Sequence, residues 1–84
     1  MILLDSYAWI EYFLGSEKGA LVRGYLNKEP ATPSIVLCEV ARKFFREGLA
    51  EDDVKRHLGF VLANSQIVEI NLEISILSSK AYLE

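Results

Sequence analysis

Cysteine, histidine and long apolar runs are all scarce in this sequence. The single cysteine, Cys38, cannot form an internal disulfide and excludes a zinc site built from several cysteines. No apolar run approaches the roughly 18–20 residues that cross a bilayer. The N-terminus also lacks the basic start and long apolar core of a secretory signal. These absences predict a cytoplasmic protein that does not enter a membrane.

Positive charge is scarce as well. Nine lysines and arginines stand against twelve aspartates and glutamates, and the net charge is −3. This balance argues against a protein that binds nucleic acid nonspecifically through a basic surface. It is compatible with an enzyme that acts on RNA, because metal ions can supply positive charge locally. The chain has 84 residues, of which 51% are hydrophobic, as expected for one small globular domain.

The hydrophobic pattern predicts short strands that alternate with helices. Residues 1–4 are wholly apolar, which is typical of a buried parallel strand. Further strands are predicted at residues 31–32 and 66–70, and helices at residues 6–14, 17–27, 33–47, 51–64 and from 72 to the C-terminus. The order β-α-α-β-α-α-β-α predicts an α/β fold, a parallel sheet with flanking helices.

Several residues have local roles that the sequence suggests. Ser6, Thr32 and Asn71 each precede a predicted helix and are expected to cap it. Cys38 lies in an apolar helix and is expected to be buried. His57 is expected to lie on the surface and to have no catalytic role. The aromatic residues of the first helix are expected to lie mostly in the core; they are Tyr7, Trp9, Tyr12 and Phe13. Trp9 could also anchor an interface.

Carboxylates follow the first two predicted strands. Asp5 ends the first strand, and Glu39 lies in the apolar stretch "SIVLCEVARKFF" after the second. Ligands of open parallel sheets bind beyond the carboxyl ends of the strands. Glu11 lies roughly 9 Å along the helix from Asp5, and three acids at one edge would suit Mg²⁺ or Mn²⁺. The alternatives are that Asp5 only caps a helix and that Glu39 and Glu11 are ordinary surface acids.

Three basic residues follow Glu39 on the same predicted helix. They are Arg42, Lys43 and Arg46. They could guide RNA phosphates, but a solvated helix face near Glu47 explains them equally well.

Two blocks of sequence carry a family resemblance. "MILLDSYAWIEYF", followed about twenty residues later by "ATPSIVLCEVARKF", resembles the N-terminal part of a PIN domain, particularly the VapC toxin of VapBC toxin–antitoxin pairs. The resemblance implies a cytoplasmic Mg²⁺- or Mn²⁺-dependent endoribonuclease, homodimeric and inhibited by an antitoxin protein. Asp5 matches the first acid of the family and Glu39 the second. Ser6 matches the hydroxyl beside the first acid, and Glu11 an acid that is often present.

The third acid of the family has no match in this sequence. That acid lies in an Asp-Ala segment that opens a later helix, about where this chain ends in "SSKAYLE". Residues 1–84 are therefore expected to form one PIN-like domain that is truncated at its C-terminus and binds metal weakly. The alternative function is an inactive PIN-like module that dimerises or binds an antitoxin-like partner. A third alternative is a small α/β scaffold without an active site, which requires that neither Asp5 nor Glu39 has a functional role.

The last predicted helix is apolar on two sides. Ile74, Leu77 and Ala81 mark one face, and Leu72, Ile76 and Leu83 mark the other. Such a helix is expected to be covered by a further segment or by a partner chain.

Overall fold

A computed structural model describes residues 2–80, without the side chains of Ser78 and Lys80. Five α-helices, two strands and one 3₁₀ turn follow residues 2–4, the opening segment, in this part of the chain. In chain order they are α1 (Ser6–Leu14), α2 (Glu17–Arg23), the 3₁₀ turn (Leu26–Lys28), β1 (Ala31–Pro33), α3 (Ser34–Arg46), α4 (Glu51–Asn64), β2 (Gln66–Val68) and α5 (Leu72–Lys80). Ala81 and Leu83 lie outside the described residues.

The sheet is parallel, and β1 is its central strand. β1 pairs with β2 in parallel, with Ala31 opposite Gln66. On its other side, a single parallel bridge joins Ala31 to Leu3. The Ala31 N–H donates to the Ile2 carbonyl at 2.8 Å, and the Leu4 N–H donates to the Ala31 carbonyl at 2.9 Å. The predicted α/β class is therefore confirmed, with the first predicted strand reduced to one bridge.

Caps decide where the first and last helices begin. Asp5, not Ser6, caps α1, because its extended backbone lets its side chain accept from the Ala8 N–H at 2.8 Å. The predicted Ser6 cap is wrong, since Ser6 is already the first helical residue. The predicted Asn71 cap of α5 is confirmed, with Asn71 Oδ1 accepting from the Ile74 N–H at 2.8 Å.

The end of α2 differs from the sequence prediction. α2 ends at Arg23 with Gly24 as its C-cap, and a separate 3₁₀ turn follows at Leu26–Lys28. The predicted helix over residues 17–27 is therefore interrupted at Gly24. Glycine has no side chain whose packing could stabilise a longer helix. Among residues 2–80, no helix is long and apolar enough to span a bilayer.

The core lies between the sheet and the helices α1, α3 and α4. Its side chains exposed by less than 2% include Leu4, Trp9, Val22, Val40, Val54 and Val61. Trp9 has 0% exposure, so the interpretation of Trp9 as an interface anchor is wrong. Phe13 stacks on Trp9 with ring centroids 5.9 Å apart.

Two predictions of burial were reversed. Cys38 is exposed, because it lies on the side of α3 opposite the buried residues Val36 and Val40. His57 is half-buried, with its ring 4.5 Å from that of Phe13 and 4.7 Å from that of Phe44, measured between centroids. The burial of these two residues depends on which face of each helix packs against the core. Helical periodicity alone does not fully determine that face.

A chain of hydrogen bonds crosses the core. Thr32, predicted to cap α3, instead accepts from the Trp9 indole N–H at 3.0 Å. Its hydroxyl donates to Ser65 Oγ at 2.9 Å, and the Ser65 hydroxyl donates to the Val61 carbonyl at 2.7 Å. The chain gives each buried polar group a partner and joins α1, β1 and the end of α4.

Replacing Thr32 by valine is expected to destabilise the protein by about 1–3 kcal/mol, because the buried Trp9 indole N–H loses its acceptor. The measurement is urea unfolding followed by Trp9 fluorescence. Thr32→Ser retains the hydroxyl and is the matched control, which should lie closer to the wild-type free energy of unfolding. Equal stability of the valine variant and the wild type would contradict the role given to this hydroxyl.

Candidate metal centre

Asp5 stands at the carboxyl end of the opening segment and is half-buried. Its Oδ1 accepts from the Ala8 N–H, so the capping interpretation of this residue is confirmed. Its Oδ2 makes no hydrogen bond or ion pair within residues 2–80. The cap therefore fixes the direction of the carboxylate and leaves one oxygen for another ligand.

Glu39 belongs to α3, which begins at Ser34 directly after β1. It is exposed, and it makes no hydrogen bond or ion pair in the part of the chain that the structure describes. It lies about 7.5 Å along the helix from Ser34 and about 60° around the axis from the buried Val36. Glu39 is thus a carboxylate at the flank of the buried face.

Asp5 and Glu39 belong to segments that leave the sheet at the same edge. The opening segment and β1 are parallel neighbours, and α1 and α3, which follow them, pack against each other. Within residues 2–80, no three histidine, cysteine, aspartate or glutamate side chains form a group that could hold a metal ion. Asp5 and Glu39 follow neighbouring strands at this edge, and a shared metal site built from these two residues stays a prediction.

The two residues predicted to support the centre, Ser6 and Glu11, both lie on α1. Ser6 is the first residue of α1, beside Asp5, and its hydroxyl has no hydrogen bond among the described residues. Glu11 lies in the second half of α1, and its Oε1 accepts from the Ser16 hydroxyl at 3.0 Å. Glu11 thus has a structural partner in the turn before α2, and a supporting role for it stays a prediction.

The basic residues of α3 lie on the same flank of the helix as Glu39. Arg42, Lys43 and Arg46 follow it by three, four and seven residues, which are neighbouring positions on a helix surface. Lys43 donates to Glu47 at 2.7 Å, and this hydrogen bond and charge lower the pKa of the Glu47 carboxyl. Among residues 2–80, Arg42 donates one hydrogen bond, to the Cys38 sulfur at 3.8 Å, and forms no ion pair with a carboxylate.

Thr32 supports the candidate centre indirectly, in a way that the sequence did not suggest. Its hydrogen bond to Trp9 joins α1 to β1. Trp9 lies about one helical turn after Asp5. No local pattern marks this role, because the partner lies 23 residues away.

A model of the PIN domain family matches residues 2–84. The chain belongs to the PIN domain family. This is a family of nucleases that generally depend on divalent metal ions and bind RNA. Searches of curated proteins and of solved structures found no match to this sequence.

The chemistry of this PIN domain suits a hard divalent cation. Mg²⁺ is commonly held by one or two carboxylates, with water and substrate phosphate oxygens completing its octahedron. Asp5 Oδ2 and the Glu39 carboxylate have no partner within residues 2–80, and no lysine or arginine pairs with either of them there. The two residues therefore fit a Mg²⁺ or Mn²⁺ ion in donor type and charge.

Proposed function

We propose that this PIN domain is a Mg²⁺- or Mn²⁺-dependent endoribonuclease and the toxin of a toxin–antitoxin pair. The observation that carries the proposal is that Asp5 Oδ2 and the Glu39 carboxylate make no hydrogen bond or ion pair among residues 2–80 and belong to segments that leave the parallel sheet at one edge. Membership of a nuclease family supports the same reaction class.

Asp5 and Glu39 are the residues that would hold the ion. When bound, the ion lowers the pKa of a coordinated water and offsets the charge of the scissile phosphate. The cap to Ala8 restricts the Asp5 side chain to one direction, which reduces the entropy lost when it binds. Among residues 2–80 the Ser6 hydroxyl beside it makes no hydrogen bond. Arg42 and Arg46 follow Glu39 by three and seven residues on α3 and would bind neighbouring phosphates of an RNA strand.

A cleavage assay tests this proposal directly. Purified protein is incubated with single-stranded RNA in Mg²⁺, in Mn²⁺ and in EDTA, and internal cleavage is followed on a gel. We expect cleavage with either ion, none in EDTA, and recovery when the ion is returned. Cleavage that persists in EDTA would contradict a metal-dependent reaction.

The second candidate is a PIN-like module that dimerises or binds an antitoxin-like partner without cutting RNA. It is favoured by α5, which buries Ile74 yet leaves Leu72 79% and Ile76 47% exposed. Apolar side chains on two sides of one helix are typical of a helix that is covered in an assembly. This candidate is preferred if the assay detects no cleavage under any condition while the protein is dimeric or binds its partner.

The arginines of α3 give a prediction on RNA binding. The double variant Arg42→Gln, Arg46→Gln is expected to weaken RNA binding and to lower the slope of log K against log salt by about 1.4, because each phosphate contact to a single strand contributes about 0.7. Fluorescence anisotropy of a labelled RNA at several salt concentrations measures both quantities. Lys55→Gln, Arg56→Gln on α4 removes the same charge and should leave the slope closer to wild type. Equal slopes for both double variants would contradict a phosphate path along α3.

A further inference from the structure

A cavity lies at the edge of the sheet opposite the candidate metal centre. Its volume is about 510 Å³, and its walls include Pro30 and Gln66. Pro30 directly precedes β1 and Gln66 begins β2, so the cavity opens at the amino ends of both strands. Asp5 and α3 follow the carboxyl ends, and the two sites are therefore separate.

The formal charge on the wall of this cavity is negative. Among the described residues that line it, Glu29 alone is charged. Asn64, the last residue of α4, is also part of the wall, and the unpaired carbonyls at a helix C-terminus carry partial negative charge. The last turn of α4 contains no basic residue, whereas α2 and α3 each have one or more there.

The side chains at the end of α4 offer acceptors to the cavity. Asn64 uses its amide nitrogen to donate to the Phe60 carbonyl at 2.9 Å, which leaves its Oδ1 as an acceptor. The Ser65 hydroxyl proton is committed to the Val61 carbonyl at 2.7 Å. Asn64 Oδ1 can therefore accept a hydrogen bond from a ligand that donates.

The backbone of Glu29 is strained. Its φ of 52° and ψ of 60° place it in the left-handed region, where it is the only residue other than glycine among residues 2–80. Glycine or asparagine would adopt this conformation at lower cost. Glu29 lines the cavity in this conformation, and such strain is concentrated at functional sites.

We propose that this cavity binds a guanidinium or ammonium group, held by the Glu29 carboxylate and by the acceptors at the end of α4. A planar guanidinium matches a carboxylate and neighbouring oxygens especially well, because its donors form a fixed fork. The group belongs either to an arginine side chain of a partner protein or to a free polyamine.

An NMR titration of the ¹⁵N-labelled protein tests the proposal. The probes are Nα-acetylarginine amide, its neutral citrulline analogue, and spermidine. We expect saturable shifts of the Asn64 side-chain amide and of the Ser65 and Gln66 backbone amides with a cationic probe, and at least tenfold weaker binding of the citrulline analogue. Saturation by the arginine probe alone indicates a protein side chain, and saturation by spermidine alone indicates a polyamine.

Variants of Glu29 provide the controls. Glu29→Gln should weaken binding of the cationic probe at least tenfold, whereas Glu17→Gln on the exposed start of α2 should leave it unchanged. Glu29→Gly should abolish binding and raise the thermal midpoint, because glycine relieves the left-handed strain. The proposal is overturned if no probe saturates, if the citrulline analogue binds as well as arginine, or if Glu29→Gln binds like the wild type.

Discussion

Replacing Asp5 by asparagine is expected to abolish metal-dependent RNA cleavage and to leave the stability of the fold almost unchanged. Asparagine is among the best N-cap residues, and its Oδ1 can accept from the Ala8 N–H as the aspartate does. A neutral amide is a poor ligand for Mg²⁺, so the electrostatic contribution of the metal, several kcal/mol, is largely lost. We expect the cleavage rate to fall by a factor of about 100 or more.

Two further variants separate the two roles of Asp5. Asp5→Ala removes the metal ligand and the cap together, and it should lower the free energy of unfolding by about 1 kcal/mol in addition to the loss of cleavage. Asp52→Asn, on the exposed first turn of α4, should change neither quantity. The rate of RNA cleavage and the urea unfolding curve measure the two effects. Full cleavage by Asp5→Asn would exclude Asp5 as a metal ligand.

Replacing Gly19 by alanine is expected to produce the largest loss of stability, about 3 kcal/mol or more. A Cβ atom at Gly19 would lie 2.5 Å from the Glu11 carbonyl carbon and 2.7 Å from Tyr12 Cα. These are backbone atoms of α1, so no side-chain rotation can relieve the overlap. The helices α1 and α2 would have to separate, and the buried Val22 on α2 would lose part of its packing.

Gly59→Ala is the matched control for this prediction. Gly59 lies within α4, and a Cβ atom there would meet nothing within 4 Å. The alanine variant should therefore gain about 0.5–1 kcal/mol, because alanine restricts the unfolded chain without a steric cost. Urea unfolding of both variants gives the comparison. A Gly19→Ala protein as stable as Gly59→Ala would show that α1 and α2 are not held in close contact.

The order of elements could be predicted from local patterns. Asp5 and Glu39 are predicted as ligands because each follows a predicted strand, and the two segments that they follow are parallel neighbours in the structure. Their role as metal ligands stays a prediction. The bounds of α4 and the Asn71 cap of α5 also agree with the sequence prediction. These features depend on residues within a few positions of one another, where helical period and capping chemistry act directly.

The environments of Thr32, Cys38 and His57 could not be predicted in this way. Each was assigned from its own neighbours in sequence, and each was placed by contacts with distant segments. Thr32 bonds to Trp9 and Ser65 instead of capping α3, and His57 packs on Phe13. Cys38 is exposed because the packed face of α3 turns away from it.

The sequence by itself determined the α/β order of elements, the parallel sense of the strands and the two carboxylates that follow them. Only the tertiary structure decided that β1 is central and that α2 crosses α1 at Gly19. It also decided that a cavity with a strained Glu29 opens at the amino edge of the sheet. The physical reason is the distance along the chain over which each interaction acts. Helical periodicity, caps and turns depend on residues a few positions apart. The close approach of two helices and the formation of a cavity depend on surfaces from distant parts of the chain.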